Sequence, residues 1–163
     1  ALVRHPVADN VKCLHAYPPH ARLSFERLTK DRYGSRKDIE LTAEDDEHLQ
    51  RLLAAADLVV AGPSTIGIDA ALFDTPVIYV SFDGSEERPY HESIRRYYDY
   101  DHFAPILTSG GVVLAENPEA FTAALKAYLS DPTRDSVGRA CLVEEQAWRL
   151  DGRARERLAD ALR

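Results

Sequence analysis

The sequence predicts an α/β fold built on a mostly parallel sheet with helices on both faces. Three observations predict it. Leu58–Ala61 and Pro76–Val80 are continuous apolar runs rich in β-branched residues, the pattern of strands covered on both sides. Stretches with apolar residues at helical spacing lie before, between and after such runs, and strands alternating with helices make a parallel sheet. Finally, Pro18-Pro19, Asp131-Pro132 and Asp151-Gly152 fall where one segment must give way to the next.

The elements follow in order. Leu2–Arg4 reads as a short strand ended by His5-Pro6, because proline lacks a ladder donor and biases the residue before it toward extended geometry. From Val7 to Arg36 the pattern is weakest; Val11–Ala16 and Ser24–Lys30 are candidate helices, and Ile39-Glu40-Leu41 a candidate second strand. Thr42-Ala43-Glu44-Asp45 resembles a helix start, with a hydroxyl cap and acids in the first turn. The helix it opens should set Leu49, Leu52, Leu53 and Ala56 on one face. Strand 58–61, a tight turn and a short helix come next, then strand 76–80. Residues 83 to about 105 form a long polar and aromatic connection with a helix expected around His91–Tyr98. Val112–Ala115 follows Gly110-Gly111 as a further strand. Asn117-Pro118-Glu119 opens a helix, a cap followed by proline, with Phe121, Leu125, Tyr128 and Leu129 as its inner stripe. Helices over Arg134–Trp148 and Arg153–Leu162 complete the chain.

Composition narrows the function. A length of 163 residues with 45% hydrophobic and 29% charged residues suits one globular domain with its own core. The formal net charge of −7 argues against non-specific binding to nucleic acid or an anionic membrane, both of which need a basic face. Phosphate chemistry must therefore come from local geometry. Cys13 and Cys141 have no metal-type spacing and read as two buried free thiols in a reducing compartment. No apolar run approaches the roughly 20 residues that span a bilayer, and the expectation is a cytoplasmic location. The chain begins directly on a strand-like segment and holds no methionine, which suggests a domain cut from something longer.

The segment Gly62-Pro63-Ser64-Thr65 carries the strongest chemical signal. It places two hydroxyls at a helix start, at the carboxyl end of a strand, where free N–H groups and the helix dipole favour an anion such as phosphate. Serine and threonine also cap helices with no ligand involved. Gly62 would let a ligand approach the backbone. Asp69, one turn deeper among Ile66, Ile68, Ala70, Ala71 and Leu72, can accept bonds from ribose hydroxyls or simply favour a helix start. His5 falls on the same predicted edge, as do Ser81-Phe82-Asp83-Gly84 and Glu116-Asn117. Asp99-Tyr100-Asp101 matches a metal-binding Asp-x-Asp pattern, but that spacing arises by chance in an acidic chain, and no metal is expected. Tyr97, Tyr98 and Phe103 read as core. Glycine-rich dinucleotide fingerprints, P-loops and nucleophile elbows are all lacking.

Arg4-His5-Pro6, Ala56-Asp57-Leu58-Val59-Val60, Pro63-Ser64-Thr65, Asp69-Ala70-Ala71 and Thr75-Pro76-Val77-Ile78 together resemble the C-terminal half of a GT-B glycosyltransferase. The resemblance is nearest to bacterial capsule and surface-polysaccharide enzymes, including the polysialyltransferase-like and CDP-glycerol glycerophosphotransferase groups. Tyr128-Leu129-Ser130-Asp131-Pro132 and Asp151-Gly152-Arg153-Ala154 extend it over most of the chain. It implies that residues 1–163 form a single Rossmann-like three-layer sandwich binding the nucleotide of an activated donor. His5 would contact the nucleotide, Ser64 and Thr65 its phosphate, and Asp69 the ribose. Glutamate is more usual at the last position, so a shorter side chain must reach the same hydroxyls. The resemblance further implies no cofactor and no metal. An acceptor-binding N-terminal domain would supply the catalytic base, so the isolated domain would bind donor without turning it over. It leaves room for peripheral membrane association of the full protein. Two other readings compete: the matching half of a UDP-sugar 2-epimerase, and a non-catalytic α/β interaction module.

Overall fold

The computed structural model describes residues 2–4, 22, 24–26, 42–84 and 87–163. The backbone divides into two compact units, Ala1–Leu49 and Gln50–Arg163. In the first, β1 (Leu2–Arg4) pairs in parallel with β2 (Ser24–Glu26), Leu2 opposite Ser24 and Arg4 opposite Glu26. Residues 24–26 are therefore strand where helical spacing was expected; three residues beside a parallel partner take the extended form whatever their helix propensity. Thr42 and Asp45 open α1 (Ala43–Ala55) with a reciprocal cap. The Asp45 N–H donates to Thr42 Oγ1 at 3.3 Å, while the Thr42 N–H and hydroxyl donate to Asp45 Oδ2 at 2.9 and 2.7 Å. His5, Cys13 and the expected elements at 11–16 and 39–41 lie outside the described residues.

The second unit is built on three parallel strands in the order β3 (Val59–Ala61), β4 (Val77–Val80), β5 (Val112–Ala115). Val59 pairs with Val77, and Val77 with Val112, so the three strands start level and end within one residue of each other. Around this sheet stand α2 (Ile66–Ala71), α3 (Ala104–Thr108), α4 (Pro118–Ser130), α5 (Ser136–Gln146) and α6 (Ala154–Ala161). The result is the Rossmann-like α/β sandwich that the strand–helix alternation predicts.

β4 is the centre of this unit: Val77, Ile78 and Tyr79 are fully buried. Alternate side chains of a strand face opposite sides. Ile78 joins Ala115 and Tyr128 in a cluster flanked by Phe121, Ala124 and Leu125 of α4. Tyr79 faces the other way, packing edge-to-face on Tyr98 and Phe103 at ring separations of 5.8 and 5.5 Å. Tyr97 and Leu129, expected inside, are exposed. Leu129 follows Tyr128 around α4 and is 57% accessible, because the narrow inner stripe already ends at Tyr128. Asn117 caps α4 as expected, its Oδ1 accepting the Ala120 N–H at 2.8 Å.

Between His91 and Tyr98 the helix shrinks to one 3₁₀ turn, Ile94–Tyr97, and the short α3 follows. Helix α5 comes so near the β5 approach that a Cβ on Gly138 would lie 2.1 Å from the Gly110 carbonyl carbon. Only glycine fits there. The next residue of the same helix, Arg139, is buried, and its guanidinium donates to Asp74 Oδ1 at 2.6 Å, Arg134 O at 2.7 Å and Pro132 O at 3.1 Å. Cys141, expected buried, is a free and exposed thiol, since Arg139 and Leu142 occupy the inner face of α5. Helix α6 buries no residue, and the nearby Trp148 is 62% accessible between the guanidinium groups of Arg149 and Arg157.

Candidate functional site

The polar residues that end the three strands gather at the carboxyl edge of this sheet, where ligands of open α/β folds bind. After β3 the chain turns through Gly62-Pro63-Ser64-Thr65 into α2, so both hydroxyls stand at a helix start as the sequence implied. Ser64 caps weakly, its Oγ accepting the Ile66 N–H at 3.3 Å. Thr65 has helical backbone angles, φ −69° and ψ −1°, and makes no capping bond. Both side chains are exposed.

What holds the turn is Tyr79, a residue that sequence reasoning placed only in a strand. Its hydroxyl donates to Ser64 O at 2.6 Å and accepts the Gly67 N–H at 3.0 Å. One side chain from the central strand thus closes both ends of the turn. Gly67 is what lets the ring in, because a Cβ there would lie 2.2 Å from the tyrosine oxygen. Burial pushes the Tyr79 pKa up to about 12; the Gly67 N–H bond opposes this and the Asp69 charge adds to it. The phenol stays protonated and keeps donating to Ser64 O. A lone tyrosine within Val77-Ile78-Tyr79-Val80 was the available signal, since a buried phenol needs a partner.

This anchoring corrects the simple picture of a helix end with free donors. Gly67 N–H is taken by Tyr79, and Ile68 N–H by Thr65 O at 2.9 Å. Of the N–H groups of Ile66, Gly67 and Ile68, only that of Ile66, held by one long bond, is left for a ligand beside the two hydroxyls. Gly62 packs beside Ile94, where an added Cβ would make ordinary contact at 3.5 Å, so the turn does not require glycine there. Asp69 lies four positions after Thr65, on the same helical face. It is half-buried, makes no hydrogen bond among the described residues, and burial raises its pKa.

A cleft of about 270 Å³ opens beside the turn, between the ends of β4 and β5. Ser81, Phe82, Asp83, Gly84, Glu87, Arg95 and Glu116 line it, so the post-strand residues do converge. Asp83 is fixed by Ser93 and by the Ile94 N–H at 2.8 Å, which together hold its carboxyl below the usual range. Ser93 Oγ in turn accepts from Arg95 N at 3.1 Å and Arg95 Nε at 2.9 Å. Arg95 and Ser93 lie in the tyrosine-rich connection, where nothing in the local pattern marked them. Asp99 accepts the Tyr90 hydroxyl at 2.6 Å. Among the described residues no group of three or more His, Cys, Asp and Glu is arranged to hold a metal ion.

Fold and site define a Rossmann-like α/β domain with its polar groups at the carboxyl edge of a parallel sheet. No characterised protein and no solved structure matches the chain closely enough to extend that description. A family profile does: the chain belongs to the CDP-glycerol:poly(glycerophosphate) glycerophosphotransferase family, which matches residues 20–163. The family is one of transferases, as the motifs from Pro63 to Ile78 suggested. No helix among the described residues is long and apolar enough to cross a membrane.

Proposed function

We propose that this chain is the donor-binding part of a glycerophosphotransferase or closely related glycosyltransferase that builds bacterial surface polymers. The donor is a nucleotide-activated glycerol or sugar, with CDP-glycerol the first choice on family membership. Ser64 and Thr65 hold its phosphates, Asp69 its ribose hydroxyls, and His5 its nucleotide. Neither a metal nor a cofactor takes part. The catalytic base comes from an acceptor-binding domain in a two-domain GT-B arrangement, so the isolated chain binds donor without turnover.

The observation that carries this reading is the anchored turn. A buried tyrosine fixes Gly62–Gly67 at a strand's carboxyl end, yet leaves two exposed hydroxyls and an unbonded Asp69 beside it. Fixing a backbone in advance lowers the entropy lost on binding, and a half-buried carboxylate without a partner favours a ligand that donates to it.

Calorimetric titration of the chain with CMP, CDP, UDP and GDP tests the reading. A preference for CDP that is lost in both Ser64→Ala and Asp69→Ala supports it. A preference for UDP transfers the argument to a UDP-sugar 2-epimerase, and no binding at millimolar nucleotide leaves the non-catalytic module.

A further inference from the structure

We infer that the cleft between the ends of β4 and β5 is the subsite for the donor's polyol group, the glycerol of a CDP-glycerol donor. The inference rests on the donor-binding reading above and adds a second place of contact to it.

Ser81 gives the first argument. It is only 4% accessible, its N–H continues the ladder by donating to Ala115 O at 2.8 Å, and its side chain lines the cleft. Yet its hydroxyl has no hydrogen-bond partner among the described residues, although neighbouring side chains are closely networked. The oxygen is not sealed off, so within an otherwise buried residue it is a donor and acceptor open to whatever enters the cleft.

Charge decides what that something is. Three carboxylates, Asp83, Glu87 and Glu116, line the cleft against one arginine. Arg95 is engaged with Ser93 Oγ and Arg88 O and stands 3.6 Å from Glu87. A phosphate would be repelled here. A neutral group with several hydroxyl donors suits it, since ionised carboxylates only accept. Cytosine is the poorer match, because it offers one donor amine beside two acceptors that would face carboxylate oxygens. Phe82 is the one aromatic side chain in the lining on which a base could stack.

Position agrees. Neighbouring strands lie about 4.8 Å apart, so a cleft between β4 and β5 stands about 7 Å from the end of β3, within the span of one donor molecule. Ile94 ties them together, packing beside Gly62 while its N–H holds Asp83.

The test compares affinities for CDP and for CDP-glycerol by calorimetry, in the chain and in Ser81→Ala and Glu116→Gln. Glu116 is exposed and Ser81 loses only an unbonded hydroxyl, and circular dichroism verifies that both variants fold. The chain should prefer CDP-glycerol over CDP, and each variant should reduce that preference about fivefold, the worth of one net hydrogen bond. Equal weakening of both ligands would make the cleft a base subsite and overturn the inference, as would no change in either. If the chain binds CDP with no preference for CDP-glycerol, this inference alone fails. If it binds neither, it fails together with the donor-binding reading.

Discussion

The turn after β3 and the cleft beyond β4 border the same sheet edge but use their polar groups in opposite ways. In the turn, main-chain groups are satisfied from within: one tyrosine oxygen serves Ser64 O and Gly67 N–H. In the cleft, the Ser81 hydroxyl lacks a partner although the residue is buried. The difference teaches that rigidity and readiness for a ligand are separable. The turn fixes where a ligand sits, whereas the cleft leaves groups for it to complete.

Gly67→Ala should strike hardest at this contrast. Its Cβ would have to displace the Tyr79 oxygen, 2.2 Å away. We expect a loss of about 3 kcal/mol in urea unfolding, from overpacking plus broken hydrogen bonds. A loss below about 1 kcal/mol would mean that the turn is not held by this contact.

Tyr79→Phe should be milder, about 2 kcal/mol, by leaving Ser64 O and Gly67 N–H unpaired. In a double-mutant cycle it should also relieve part of the Gly67→Ala penalty, since the clashing oxygen is then gone. Strict additivity would break the argument that one atom holds the turn.

Asp69→Asn has a smaller effect whose sign depends on pH. Burial raises the folded pKa of Asp69 above 3.8, so the folded state binds its proton more tightly than the unfolded chain. Stability from this group is full below about 3.8 and declines as pH rises through the folded value. The asparagine variant should therefore melt slightly higher than the parent at pH 7 and alike at pH 3.5, while binding nucleotide less well. A lower melting point at pH 7 would show that the carboxylate has a structural partner after all.

Least should change in the fold on Ser81→Ala, within about 0.5 kcal/mol of the parent by thermal melting, because the hydroxyl has no bond to lose. A loss of more than 1 kcal/mol would end the claim that cleft and turn differ.

The sequence made some of this contrast legible. Elements set by local chemistry were readable: the Thr42 and Asn117 caps, the apolar runs of β4 and β5, and hydroxyls at a helix start after a strand. Whatever depends on contacts across the fold was not. Tyr79 meets Gly67 from twelve residues away, and Arg139 meets Asp74 from sixty-five, with nothing nearby in sequence to announce either. Residues 24–26 read as helix because a parallel partner at residues 2–4 cannot be inferred from their own spacing. Helical spacing alone does not say where the inner stripe stops, and Leu129 falls just outside it; residue type does not orient Cys141, which the rotation of α5 turns outward.

Trp148 has a practical consequence. As the single tryptophan of the chain, it dominates the intrinsic emission, yet it stands largely in water beside a helix that buries nothing. Fluorescence excited at the indole band will follow fraying of the last sixteen residues, from Trp148 on, and stay silent while ligands fill the sheet edge. Unfolding curves read by that signal and by far-ultraviolet dichroism should diverge, and a midpoint taken from emission alone would describe the tail and not the domain.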